Sequence, residues 1–113
     1  MSPARLEALL WSIAARDPAT HPLLPSERRV LRRLARRARL IRGHLLFSGW
    51  VDRDGYPQLS VARRQWKLHR WLYETFVDAA TGMDVDHECG MRACGLHLRK
   101  LEPWKNRGWQ EPV

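Results

Sequence analysis

Asp86-His87-Glu88-Cys89-Gly90-Met91-Arg92-Ala93-Cys94-Gly95-Leu96-His97-Leu98 is the most informative stretch of the chain. Cys89, Cys94 and His97 place three soft or borderline ligands within nine residues. Zinc takes about four such ligands in a tetrahedron, and turns through Gly90 and Gly95 can bring these three together. The fourth must come from elsewhere: His69 is the first candidate and His44 the second. Cys89 and Cys94 are the only cysteines and no export signal is visible, so metal ligands or thiols are expected rather than a structural disulfide. The alternative is two buried cysteines and a surface histidine. Residues 83–113 are polar and poor in large aliphatics, and such a segment needs a staple to fold.

Upstream of this stretch, the pattern predicts a helix over His69–Phe76 with Trp71, Leu72, Phe76 and Val77 inward, and a loop over Asp78–Gly82. Leu45–Val51 is rich in strand formers, Asp54-Gly55 is a hairpin signal, and Tyr56–Val61 can return; Gln65–Leu68 reads as a third short strand. Further back, Ser2 can cap a helix with Pro3 at its first position and Leu6, Leu9, Leu10 and Ile13 on one face, ended by Asp17-Pro18. Ser26 can cap a second helix over 26–42. Its stripe is Val30, Leu31, Leu34, Ala38 and Ile41, and Gly43 is its stop. The expected architecture is α+β, with a basic helical hairpin over residues 1–44 and a second unit over residues 45–113.

The chain has 113 residues with 20 basic against 12 acidic side chains, a net charge of +8, and a pI near 10.7. Ten arginines and three acids fall in residues 1–44, so the helical hairpin holds +7 of that charge. All but Lys67, Lys100 and Lys105 of the basic residues are arginine. This suits phosphate, which matches a planar fork better than a point charge, although GC-rich codon usage would favour arginine as well. A polyanionic partner is implied, DNA before an anionic membrane, because the apolar face of the second helix lacks aromatic anchors. Arg29, Arg33 and Arg36 on that helix, with Arg63, Arg64, Arg99, Lys100, Lys105 and Arg107 beyond it, are the candidate DNA-backbone contacts. Trp50, Trp66, Trp71, Trp104 and Trp109 can stack on bases, but tryptophan in a small protein more often fills the core. No apolar run is long enough to span a membrane, and a cytoplasmic location is expected, the host's if the chain is phage-encoded.

Gly55-Tyr56, His69-Arg70, Asp86-His87-x-Cys89-x4-Cys94, His97-Leu98 and an Asn nine residues beyond His97 resemble the HNH (His-Me finger) endonucleases, in particular phage and homing-type members with a zinc-binding hairpin. The resemblance runs from about residue 46 to 109. It implies a C-terminal, zinc-stapled ββα-metal finger, with His87 as the general base on its first strand and Asn106 on its closing helix. It further implies Asp86 and Asn106 as ligands of a catalytic divalent cation, Mg2+ or Mn2+, and Cys89, Cys94, His97 and His69 as ligands of a structural Zn2+. Apart from the resemblance, Arg70, beside His69, can either reach the scissile phosphate and contact DNA or serve as a simple surface residue.

The chemistry of these residue types agrees. Imidazole titrates near neutral pH, so a neutral His87 can take a proton from water. One carboxylate and one carboxamide oxygen form a sparse, hard site that leaves room for water and phosphate, as magnesium prefers. Adjacent residues of a regular strand face opposite ways, so Asp86 and His87 need a strand end or bulge to act together. The chain departs from the family at Cys94-Gly95-Leu96-His97, two residues shorter than usual and without the Asn-Pro pair; Asn106 is the only asparagine. The expected function is DNA phosphodiester hydrolysis, as a nick by one chain or a double-strand break by a homodimer or larger assembly. The alternative is a non-catalytic zinc module that binds DNA or a protein on the same scaffold.

Overall fold

The computed structural model describes residues 1–12, 14, 16–87, 94–95 and 98–101. Among them, helices α1 (Pro3–Ser12) and α2 (Pro25–Ala35) come first, followed by strands β1 (Ala38–Ile41), β2 (His44–Phe47), β3 (Gln58–Val61) and β4 (Arg64–Lys67). Helix α3 (Leu68–Phe76) and strands β5 (Asp84–His87) and β6 (Leu98–Leu101) complete an α+β fold. The strands pair only as antiparallel hairpins, β1 with β2, β3 with β4 and β5 with β6. No described helix is long and apolar enough to cross a membrane.

Both N-terminal helices form, the first as the pattern predicts and the second with different bounds at each end. Ser2 Oγ accepts the Arg5 N–H at 3.2 Å, the expected cap with Pro3 at the first helical position. In α2 the first position is Pro25, and the Glu27 carboxylate accepts the Leu24 N–H at 2.8 Å. The helix therefore begins ahead of Ser26, which lies in its first turn rather than capping it. Val30, Leu31, Leu34 and Ala35 are buried at helical spacing.

Helix α2 does not continue to residue 42. Arg37 N–H bonds the Leu34 carbonyl in a closing turn, and Ala38–Ile41 leaves as a strand. Its partner is His44–Phe47, in the register Ala38↔Phe47 and Ile41↔His44. Arg42 and Gly43, at φ 50 and 80, form the two-residue turn between them. Gly43 thus supplies the left-handed backbone that a helix stop would also use, but for a hairpin. Ala38, Leu45 and Phe47 are buried on one side of this ribbon, so alternation at period two outweighs the helical spacing of Ala38 and Ile41.

The second correction follows from the first. With β2 taken by β1, the expected pairing across Asp54-Gly55 reduces to the single bridge Val51↔Pro57. Residues 58–61 pair instead with 64–67 through Ala62-Arg63, at φ 49 and 65. The division expected at residue 44 falls inside the β1–β2 hairpin, and one core crosses it. Leu6 and Leu10 of α1, Leu31 and Leu34 of α2, Leu45 and Phe47 of β2, and Leu68, Leu72 and Phe76 of α3 belong to the same buried cluster. Arg37 ties the pieces together from outside: its Nε donates to the Ser48 carbonyl and its Nη1 to that of Gln58 at 3.1 Å.

Candidate functional site

Strand β5 presents the residues that the sequence singles out. Val85 and His87 are buried while Asp84 and Asp86 are half-exposed, the alternation of a regular strand. No bulge reconciles Asp86 with His87 within β5, which pairs residue for residue with β6. On the outer face Asp86 stands opposite Arg99, whose Nε and Nη2 both donate to Oδ2, at 3.2 and 3.1 Å. Asp86 Oδ1 accepts no hydrogen bond among the described residues. Lys100, opposite Val85 in the register, pairs with Asp78 at 2.7 Å, a hydrogen bond that holds the Asp78 carboxyl below its ordinary range.

On the inner face, His87 joins a cluster of three rings. Its centroid lies 4.5 Å from that of His69 and 5.9 Å from that of Tyr56, and His69 and Tyr56 are 5.1 Å apart. His69 reaches the cluster from the first turn of α3, which follows β4 without a break. Its Nε2 lies 3.0 Å from the Val85 carbonyl. A carbonyl only accepts, so Nε2 carries the proton and Nδ1 presents a lone pair, with no partner among the described residues. Burial first, then the neighbouring His87 and Lys67, push the His69 pKa down to about 4. At neutral pH the ring is uncharged, the form in which imidazole binds a metal or accepts a proton.

Tyr56 is held by Asp52, which sequence reasoning missed. Asp52 Oδ1 accepts the N–H groups of Asp54 and Tyr56 at 2.9 and 3.0 Å, and Oδ2 accepts from Gln58 Nε2 at 3.0 Å. The signal was local: Asp-x-Asp-Gly is an Asx turn, in which a carboxylate organises the backbone that follows it. Lys67 Nζ sits 4.5 Å from the Tyr56 centroid, closing the cluster toward β4.

Cys94 is buried, bridges to Leu46 on β2, and lines one small void together with His69, Phe47 and Leu72. His44 does not line that void. Imidazole and thiol are both donors of the kind zinc takes, and the Val85 carbonyl fixes the His69 ring as the outer partner of a metal ligand would. Gly95 follows with its N–H on the Leu45 carbonyl at 2.7 Å. A Cβ there would meet Phe47 Cε2 at 2.7 Å and Leu72 Cδ1 at 2.9 Å, so close approach to the core accounts for this glycine. Among the described residues no three His, Cys, Asp or Glu side chains gather at a metal-binding distance. Cys89, His97, Asn106, Lys105 and Arg107, all expected at the site, lie outside the described residues, as does the expected closing helix.

The chain matches no protein-family model, no curated protein and no solved structure.

The basic residues divide into two groups. Arg29, Arg33 and Arg36 are exposed along α2, and Arg63 and Arg64 are exposed at the β3–β4 turn. Arg33 Nη2 donates to the Ser60 carbonyl at 2.6 Å, which brings that turn beside the helix. Arg29, Arg33, Ser26 and Ser60 line the open cleft between them. Arg64 stacks 3.9 Å from the Trp66 centroid. Arg70 is turned inward instead: Nη1 and Nη2 donate to the carbonyls of Met83 and Ala80 at 2.7 and 2.6 Å, and Nε faces Glu74. It fastens the segment entering β5 to α3.

Proposed function

We propose that the chain is a metal-dependent DNA endonuclease of the HNH type, in which His87 takes a proton from water and the basic surface of α2 holds the duplex. The observation that carries this reading is the packing of the His87 ring against a neutral, carbonyl-oriented His69, which lines a small void shared with the buried Cys94. His69 stands on α3, while His87 and Cys94 come from the Asp86–Leu98 stretch, at spacings that resemble those of a zinc-stapled nuclease hairpin. In the reaction a water proton passes to the His87 ring as the water oxygen bonds to phosphorus. The P–O3′ bond then breaks, leaving a 5′-phosphate and a 3′-oxyanion that takes a proton from solvent water to become the 3′-hydroxyl. Asp86 and Asn106 are the oxygen donors that would hold magnesium or manganese, which when bound supplies charge stabilisation for the phosphate and the leaving oxygen. Asp86 Oδ1, outside the Arg99 pair, fits a hard cation of this kind. His69, Cys94, Cys89 and His97 would hold zinc, which acts as a staple and takes no part in the chemistry.

Exposed Arg29, Arg33, Arg36, Arg63 and Arg64 bind the phosphate backbone in this reading, while Arg70 acts as a clamp within the protein. A second reading, a non-catalytic zinc module that binds DNA, has its own support. His87 is buried, and Asp86 faces away from it into the Arg99 pair.

Conversion of supercoiled plasmid to nicked circle, with and without magnesium or manganese, tests the proposal. The parent should nick only with metal. His87→Ala should lose about 10²–10⁴-fold in rate while keeping zinc content and DNA affinity. A parent that binds DNA and never cuts it with either metal selects the second reading. A His87→Ala protein that cuts as well as the parent rejects the mechanism.

A further inference from the structure

The β1–β2 ribbon is anchored on one side only. Ala38, Leu45 and Phe47 fix it to the core, while Arg39, Leu40, Ile41 and Arg42 are exposed, with Ile41 at 45%. Its tip stands clear of the molecule: a Cβ added to Gly43 would meet no atom within 4 Å. Among the described residues β1 has no strand partner but β2, and the Cys94 bridge falls on β2, so the far edge of β1 is open. The charge around the ribbon has one sign. No acidic residue occurs between Glu27 and Asp52, and Arg36, Arg39 and Arg42 recur at every third position.

An exposed isoleucine set among cations has little to gain from water or from an acidic protein surface alone. It suits a polyanion that also offers an apolar surface. The major groove of duplex DNA is such a surface, with phosphates along both rims and the C5-methyl groups of thymine on its floor. Two strands about 4.8 Å apart, with their side chains, match a groove about 12 Å wide and exceed the minor groove at about 6 Å. A membrane is the poorer fit, since the exposed aromatic nearest in sequence, Trp50, follows the base of the ribbon and not its tip.

We propose that the β1–β2 ribbon is a major-groove arm, with Ile41 against thymine methyl groups and Arg39 and Arg42 on the flanking phosphates. This deepens the proposed function and rests on its DNA-binding half, not on cleavage.

The test is binding of the full chain to an alternating A–T duplex and to the same duplex with deoxyuridine for thymine, which differ only in the methyl group. Each is titrated over a range of salt concentrations without added magnesium. The parent should prefer the thymine duplex by about three- to tenfold. Ile41→Ser should abolish that preference and leave the salt dependence unchanged. Arg39→Gln with Arg42→Asn should keep the preference and reduce the slope of log affinity against log salt by about 2. Asparagine is chosen at 42 because it tolerates the positive φ of the turn. Thermal melting of each variant reports that the fold is intact. Equal binding of the two duplexes by the parent, or a preference that survives Ile41→Ser, overturns the arm while leaving DNA binding in place. A parent that binds neither duplex at any salt concentration overturns the proposed function itself.

Discussion

The helical end of the molecule buries Leu6, Leu10, Leu31, Leu34 and Phe76 against one another, whereas the β5–β6 hairpin rests on Tyr73, Ala80 and Val85. Each fully buried aliphatic or aromatic side chain contributes about 1.5–3 kcal/mol, so apolar burial is the main attractive contribution in the first region. The hairpin is attached by polar contacts: Arg70 to two carbonyls, Lys100 to Asp78, Arg99 to Asp86 and His69 to Val85. Exposed ion pairs add little, typically about 0–1 kcal/mol each. The residues proposed for chemistry thus sit on the less self-sufficient part, which depends on the helices for a floor and, in the proposed reading, on a zinc staple for closure.

Metal removal should break this contrast most sharply. Zinc bound by a site of this type supplies on the order of 10–16 kcal/mol of apparent binding energy, more than the small cluster under the hairpin can replace. A strong chelator should therefore release the β5–β6 hairpin and leave the helices folded. Tryptophan emission and far-ultraviolet circular dichroism would separate the two, and an unchanged hairpin after complete chelation would remove the staple from the account. Phe76→Ala addresses the other end. The ring is fully buried and meets Trp11 edge-on with centroids 4.9 Å apart, so truncation should cost about 3–5 kcal/mol in urea unfolding. Because α3 is also the hairpin's floor, both regions should fall together.

Acid should act on the hairpin side. His69 titrates near 4 in the fold against 6.5 in the ordinary range, so between those values the unfolded chain binds the proton that the folded one refuses. The contribution is complete above about pH 6.5 and is lost as pH falls, reaching roughly 3 kcal/mol by pH 4. With metal removed from both proteins, His69→Gln should show a flatter stability profile than the parent over that window, and an equally steep one would place the acid sensitivity elsewhere. Gly95→Ala should cost about 1–3 kcal/mol by forcing Phe47 and Leu72 aside, measured by urea unfolding. The smallest effect has the opposite sign. Ala62 holds φ 49, and Ala62→Gly should stabilise the β3–β4 hairpin by up to about 1 kcal/mol in thermal melting.

Helices α1 and α3 and strand β4 were legible because their signals are local: a Ser-Pro start, a periodic apolar face, a short run of strand formers. Ribbon β1–β2 was not, since Ala38 and Ile41 fit the stripe of α2 and a glycine with positive φ serves a helix end and a hairpin turn equally well. Pairing with residues 44–47 decides between them, and pairing is a tertiary fact. At the site, Tyr56, His69 and His87 were each marked by family spacing, but their stacking comes from three elements and has no period to read. The inward turn of Arg70 was equally hidden, because its partners are backbone carbonyls, which every sequence offers alike.

The hydrogen bond from Gly95 to the Leu45 carbonyl makes one amide proton a clock for the whole assembly. Leu45 is fully buried in the shared core, so that proton reaches solvent only when the Cys94–Gly95 contact lifts away. Its exchange with deuterium should run far more slowly than that of an open loop amide, and should quicken with chelation long before the amides of α3 do. A single resonance would then time the opening of the staple against the unfolding of the helices.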